Sequence, residues 1–119
     1  MADDVKLCPV KSPAAPSLLT LYFQRRGDTY LDTHEAYRWY ASFDTRSDLK
    51  AGDYTLVASF DQNWTAAATS SRVSDPDKFQ AAINDACRVG FVLGGGDGLG
   101  HGVYATGPAR LVVTDFRIE

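Results

Sequence analysis

Leu18-Leu19-Thr20-Leu21-Tyr22-Phe23-Gln24-Arg25-Arg26, closed by the turn Arg26-Gly27-Asp28, sets the period on which the fold rests. Leu19, Leu21 and Phe23 alternate with Thr20, Tyr22 and Gln24, so an extended chain shows one apolar face and one mixed face. Working outward, residues 36–43 repeat the pattern with Tyr37, Trp39, Ala41 and Phe43 against Arg38, Tyr40 and Ser42. Ala51-Gly52-Asp53 is turn chemistry, and 54–60 follows with Tyr54, Leu56, Ala58 and Phe60 opposite Thr55, Val57 and Ser59. Residues 89–93 read as a buried strand, and 103–106 and 109–118 as closing strands around Gly107-Pro108. In the last of these Leu111 and Val113 differ in parity from Phe116 and Ile118, which predicts a bulge near Thr114-Asp115.

One helix interrupts the strands. Ser74 or Asp75 can cap it, Pro76 suits its first turn, and Phe79, Ala82, Ile83, Ala86 and Cys87 fall on one stripe. Arg88 in the last turn favours the helix dipole. Residues 61–73 lose all period around a lone Trp64 and read as a long loop. Residues 1–17 carry Pro9, Pro13 and Pro16 and read as an extended arm, leaving 18–119 as the packed domain. About six strands with one short helix predict an all-β fold. Connections too long for hairpins favour a two-sheet antiparallel β-sandwich of jelly-roll or Greek-key kind.

A chain of 119 residues is one ordinary domain, able to bury roughly two-thirds of its unfolded surface without metal or disulfides. Twelve Lys and Arg against fifteen Asp and Glu give a net charge of -3, and the basic residues do not cluster, which excludes nucleic acid as an expected partner. No apolar run approaches a membrane span. Met1-Ala2-Asp3-Asp4 lacks a secretory signal, although a Met placed before a processed sequence would look the same, so this end leaves export undecided. Cys8 and Cys87 are too few for a disulfide scaffold or a four-ligand zinc site. Two unpaired, buried thiols are the leading reading, with one bridge to the arm as the alternative.

No Gly-x-Ser-x-Gly elbow occurs, and His34 and His101 stand in no metal-binding pair. His34 with Asp32 and Glu35 could form an acid-base cluster, although a solvated surface explains such a group as well. Seven of the ten glycines lie between 90 and 102. Successive N–H groups there could cradle an anion, but the segment lacks a Gly-Lys-Ser/Thr ending and leads into a strand, which favours a tight strand connection. The aromatics say more. Tyr22, Tyr30, Tyr40, Trp64 and Tyr104 are expected at outward or loop positions, and Tyr37, Trp39, Tyr54, Phe60 and Phe79 on core faces. An exposed ring suits the C–H face of a sugar, with Arg, Asn, Gln or Asp bonding its hydroxyls.

Arg88-Val89-Gly90-Phe91-Val92-Leu93-Gly94-Gly95-Gly96, Gly100-His101-Gly102-Val103 and the strand 109–118 resemble the closing part of secreted bacterial β-sandwich domains. Leu21-Tyr22-Phe23-Gln24-Arg25-Arg26-Gly27-Asp28 and Tyr37-Arg38-Trp39-Tyr40 fit the same pattern, so the likeness covers most of the chain after residue 17. These domains are similar to galactose-binding-like, jelly-roll carbohydrate-binding modules. The resemblance implies a non-catalytic, secreted or periplasmic domain whose partner is a glycan or polysaccharide. It also implies a structural calcium as an option, with Asp28, Asp97 and Asp115 as oxygen ligands. The leading expectation is glycan binding with Trp64 and Tyr40 as stacking platforms and Arg38, Asn63 and Asp97 as hydroxyl partners. The alternatives are a cell-surface or periplasmic interaction domain, open to homo-oligomer formation through a sheet edge, and a small enzyme using His34 or His101.

Overall fold

The computed structural model describes residues 5–29, 36–66, 71–96 and 98–118. In chain order it contains β1 (Leu7–Pro9), β2 (Leu18–Arg25), β3 (Arg38–Tyr40), β4 (Ser47–Asp48), β5 (Thr65–Ala66), α1 (Pro76–Asn84), β6 (Ala86–Gly94) and β7 (Val103–Ala105). All pairing is antiparallel, in a two-stranded sheet of β1 and β7 and a five-stranded sheet built on β2. β2 is the spine: β6 runs along one edge from Leu18 to Arg25, while β3 and β4 share the other edge and β5 extends it beyond β3. The predicted all-β character with one helix is therefore present, in two antiparallel sheets.

The register puts the apolar side chains on one face. Leu19, Leu21 and Phe23 of β2 stand opposite Leu93, Phe91 and Val89 of β6, and Phe23 stands opposite Trp39 of β3. On that face Phe23, Trp39, Ala41, Trp64, Ala66, Phe79 and Ala82 form the core. Its centre is aromatic. Phe79 meets both Phe23 and Trp39 edge-on at centroid distances of 5.7 and 5.2 Å, and Phe60 stacks on Trp64 at 5.3 Å and 18°. Both indoles satisfy their N–H groups inside the cluster, Trp39 Nε1 donating to the Ala36 carbonyl at 2.7 Å and Trp64 Nε1 to the Ser59 carbonyl at 2.9 Å.

The helix is shorter than its apolar stripe suggests. Asp75 occupies the N-cap position and Pro76 the first turn, and Phe79 and Ala82 are buried as expected. Ala86 and Cys87 instead open β6 and are exposed. Nine residues cannot hold a helix alone in water, so α1 exists by packing Phe79 and Ala82 onto the sheet. The glycine run behaves as the tight connection expected of it. Gly95 and Gly98 exchange N–H···O bonds of 3.3 and 2.9 Å around Gly96, whose φ is 55°, and a Cβ on Gly94 would collide with the Gly98 carbonyl. Those two N–H groups, engaged with each other, do not line an anion cradle.

Several expectations are corrected. Residues 54–60 and 109–118 form no strand; every residue from 111 to 118 is exposed, and Val57 is 75% exposed. The two segments lie over the apolar face of β2 and β6 and bound a cleft of about 740 Å³, with Leu19, Leu21, Phe91, Leu56, Val113 and Phe116 among its walls. Phe116 approaches Phe91 at 6.4 Å between centroids. Without a ladder at 114–115, the bulge falls elsewhere, between Gln24 and Arg25 of β2. The second predicted strand, 36–43, shortens to β3 because the chain turns at Ser42 into a 3-10 turn (Phe43–Thr45), which puts Phe43 in solvent at 76% exposure. Within the arm, three residues pair as β1. Cys8 and Cys87 are both free, and Cys87 is exposed rather than buried.

Candidate functional site

The second face of the five-stranded sheet gathers the polar and aromatic side chains that alternation excludes from the core. Reading across the strands, Arg88, Gln24 and Arg38 form one row, and Gly90, Tyr22, Tyr40 and Thr65 form the next. Thr20 stands opposite Val92 beyond them. Gly90 explains itself here, since a Cβ would come within 3.2 Å of the Tyr22 ring; the missing side chain lets that ring lie down over β6. Tyr22 and Tyr40, both half-buried, then face each other with centroids 6.5 Å apart and planes tilted by 39°.

Beside the tyrosines sits a buried ion pair. Gly27, at φ 87°, turns the chain so that Asp28 comes back under the sheet, where its side chain is wholly inaccessible. Arg38 Nε lies 2.9 Å from Asp28 Oδ2, and Gln24 Nε2 donates to the same oxygen at 3.0 Å. A carboxylate removed from water needs such partners, and here it fixes two side chains of the face in turn. Arg25 adds its guanidinium over the Tyr37 ring at 4.5 Å, which accounts for Tyr37 lying at the rim of the core rather than in it.

At the far edge of the same face is Arg46, which sequence reasoning missed. Its Nε donates to the Ala41 carbonyl at 3.1 Å, one terminal nitrogen reaches Thr65 Oγ1 at 3.4 Å, and its Cζ lies 5.6 Å from the centre of the Phe43 ring. Burial lowers its pKa from the ordinary arginine value, opposed by the charge of Tyr40. Arg46 carries no motif in the sequence. Only the turn at Phe43–Thr45 brings it back against β5.

The structure thus brings Tyr40 and Arg38 of the expected site together and adds Tyr22, Gln24 and Arg46. Trp64 is a correction: it is 3% exposed, on the opposite face, inside the aromatic core. The loop that sequence period could not resolve pairs as β5 with β3, which pulls its indole inward. Asn63 is exposed and its Oδ1 accepts from the Val73 N–H at 3.1 Å, a local turn contact. Asp97 lies outside the described residues, as do His34, Asp32, Glu35 and Tyr30. For calcium, Asp28 is committed to Arg38 and Asp115 to Arg117 at 3.3 Å, and no group of three His, Cys, Asp or Glu that could hold a metal occurs among the described residues. His101 is an exposed loop residue.

The chain matches no protein-family model, no curated protein and no solved structure. Among the described residues, no helix is long and apolar enough to cross a membrane.

Proposed function

We propose that the chain is a non-catalytic binding module that takes a glycan on the Tyr22–Tyr40 face of its larger sheet. The observation that carries this reading is the tilted tyrosine pair, held half-open beside an arginine and a glutamine that a buried carboxylate fixes in place. Tyrosine rings offer flat apolar plates to sugar C–H groups, and Arg38, whose side chain keeps 21% exposure in the adjacent row, supplies a polar contact for hydroxyls. The likeness of the sequence to carbohydrate-binding sandwiches points the same way. Residues 54–60 and 111–118 complete the sandwich as its facing layer, held by side-chain contacts such as Phe60 on Trp64. Glycan-array screening followed by affinity electrophoresis tests the proposal. Tyr40→Ala and Tyr22→Ala should each weaken retention at least tenfold with the fold intact, whereas retention unchanged in both variants, or absent on every glycan, refutes it.

A second reading is a protein-interaction domain acting through β6. Among the described residues the outer edge of 86–91 has no strand partner, and Val89 there is 40% exposed. An open edge of that kind can accept another strand. Sedimentation velocity of the wild type against Val89→Lys decides it: a dimer that the lysine dissociates supports the edge, and a monomer in both removes self-association.

A further inference from the structure

We infer that Arg46 makes this face selective for an acidic sugar, its guanidinium receiving the carboxylate of a uronic acid whose neighbouring ring rests on Tyr40. The inference rests on the glycan reading above and deepens it. Two arginines border the tyrosine pair, and they differ in their counter-charges. Arg38 has Asp28 at 2.9 Å, so its charge is balanced inside the protein. Arg46 is half-buried, yet among the described residues no carboxylate lies within salt-bridge distance of it.

Asp44, two residues before it, is engaged elsewhere, accepting from Ser42 Oγ at 2.8 Å. Arg46 uses its Nε on the Ala41 carbonyl and one terminal nitrogen on Thr65. A guanidinium has five N–H donors in a planar fork, so donors remain for a bidentate anion. A partly desolvated cation with no internal counter-ion favours an external one. The depressed pKa of Arg46, with burial as its cause, agrees with that geometry.

Position supplies the rest. Thr65, which Arg46 touches, is the register partner of Tyr40, and Tyr40 is the partner of Tyr22. The line Tyr22, Tyr40, Thr65 crosses two strand spacings, roughly 10 Å at ~4.8 Å each, a length suited to linked rings rather than one.

The test uses affinity electrophoresis of the full chain in gels containing polygalacturonate or the same polymer fully methyl-esterified, which replaces each charged carboxylate by a neutral ester. The wild type should be retarded about tenfold more strongly by polygalacturonate, a preference that added salt weakens. Arg46→Gln should abolish the preference while keeping the residual binding to the ester, and Arg46→Lys, which retains charge without the fork, should fall between. Equal retardation by the two polymers, or a preference that survives Arg46→Gln, overturns the role of Arg46 and leaves the glycan reading standing. Retardation by neither polymer overturns the acidic-sugar inference; binding to another glycan on the array would still uphold the broader reading.

Discussion

β2 and the segment 54–60 both alternate large apolar residues with a second set, Thr20, Tyr22 and Gln24 in the one and Thr55, Val57 and Ser59 in the other, yet they meet opposite fates. In β2, Phe23 is 1% exposed with strands hydrogen-bonded along both edges; in 54–60, Phe60 is 38% exposed and no ladder forms. The residues 111–118 repeat the lesson. Alternation specifies which side chains share a face, while burial and hydrogen bonding depend on neighbours that arrive from elsewhere in the chain. β2 has α1 and Trp64 over its apolar face, with β6 beside it on one edge and Trp39 of β3 on the other. The other two segments rest on that face across an incompletely filled cleft.

The largest effects should separate these regions. Phe23→Ala removes a ring that touches Phe60, Trp64 and Phe79, and should cost about 3–5 kcal/mol in chemical denaturation. Val57→Thr and Ile118→Thr, on exposed positions, should stay within about 0.5 kcal/mol. A large loss from either exposed change would mean that the facing segments contribute as much as the spine. Amide hydrogen exchange sharpens the same contrast: residues 19–24 and 88–92 should be far better protected than 55–59 and 112–117.

Next in size is the buried pair. Asp28→Ala removes the buried carboxylate 2.9 Å from Arg38 and should destabilise by about 3–5 kcal/mol, the range for breaking buried pairs. It should also disorder Gln24 and weaken glycan retention, linking the stability of the face to its binding. Trp64→Ala belongs with the core substitutions, expected to cost about 3–5 kcal/mol, so loss of binding in that variant reports unfolding rather than a lost contact.

The smallest expected effect lies in the two-stranded sheet. Tyr104 stands opposite Cys8, and side-chain hydrogen bonding to Cys8, followed by the negative charge of the Cys8 thiolate and some desolvation, raises the Tyr104 pKa above the ordinary tyrosine value. Because the raised pKa favours the neutral phenol, the contact is complete at neutral pH and is lost as alkaline pH ionises the ring. Ultraviolet titration should show Tyr104 ionising at lower pH in Cys8→Ala than in the wild type; an unmoved titration contradicts the contact.

Much of this is legible in the sequence. The period of 18–26 gave the spine and both of its faces; the stripe from Phe79 to Ile83 located the helix, and the glycine run its tight turn. What stayed hidden was non-local. Trp64 read as a loop residue because Thr65 and Ala66 become a strand only by pairing with Tyr40 and Trp39, some 25 residues earlier. Arg46 was silent because its position depends on the turn after Ser42 rather than on any spacing. Ala86 and Cys87 continued the helical stripe in sequence, but β2 offered a ladder at Arg25 that drew them into β6. In the site, Tyr40 and Arg38 were recoverable from parity alone, whereas Tyr22 gained its place from Gly90 across the sheet.

Heteronuclear NMR titration with a panel of neutral and acidic oligosaccharides tests the separation of a binding face from an aromatic core most directly. Amide and side-chain signals of Tyr22, Gln24, Arg38, Tyr40 and Arg46 should shift together, while the Trp39 and Trp64 indole N–H signals stay fixed. Shifts centred on the Trp64 indole, or none across the Tyr22–Tyr40 face with any sugar, would contradict it.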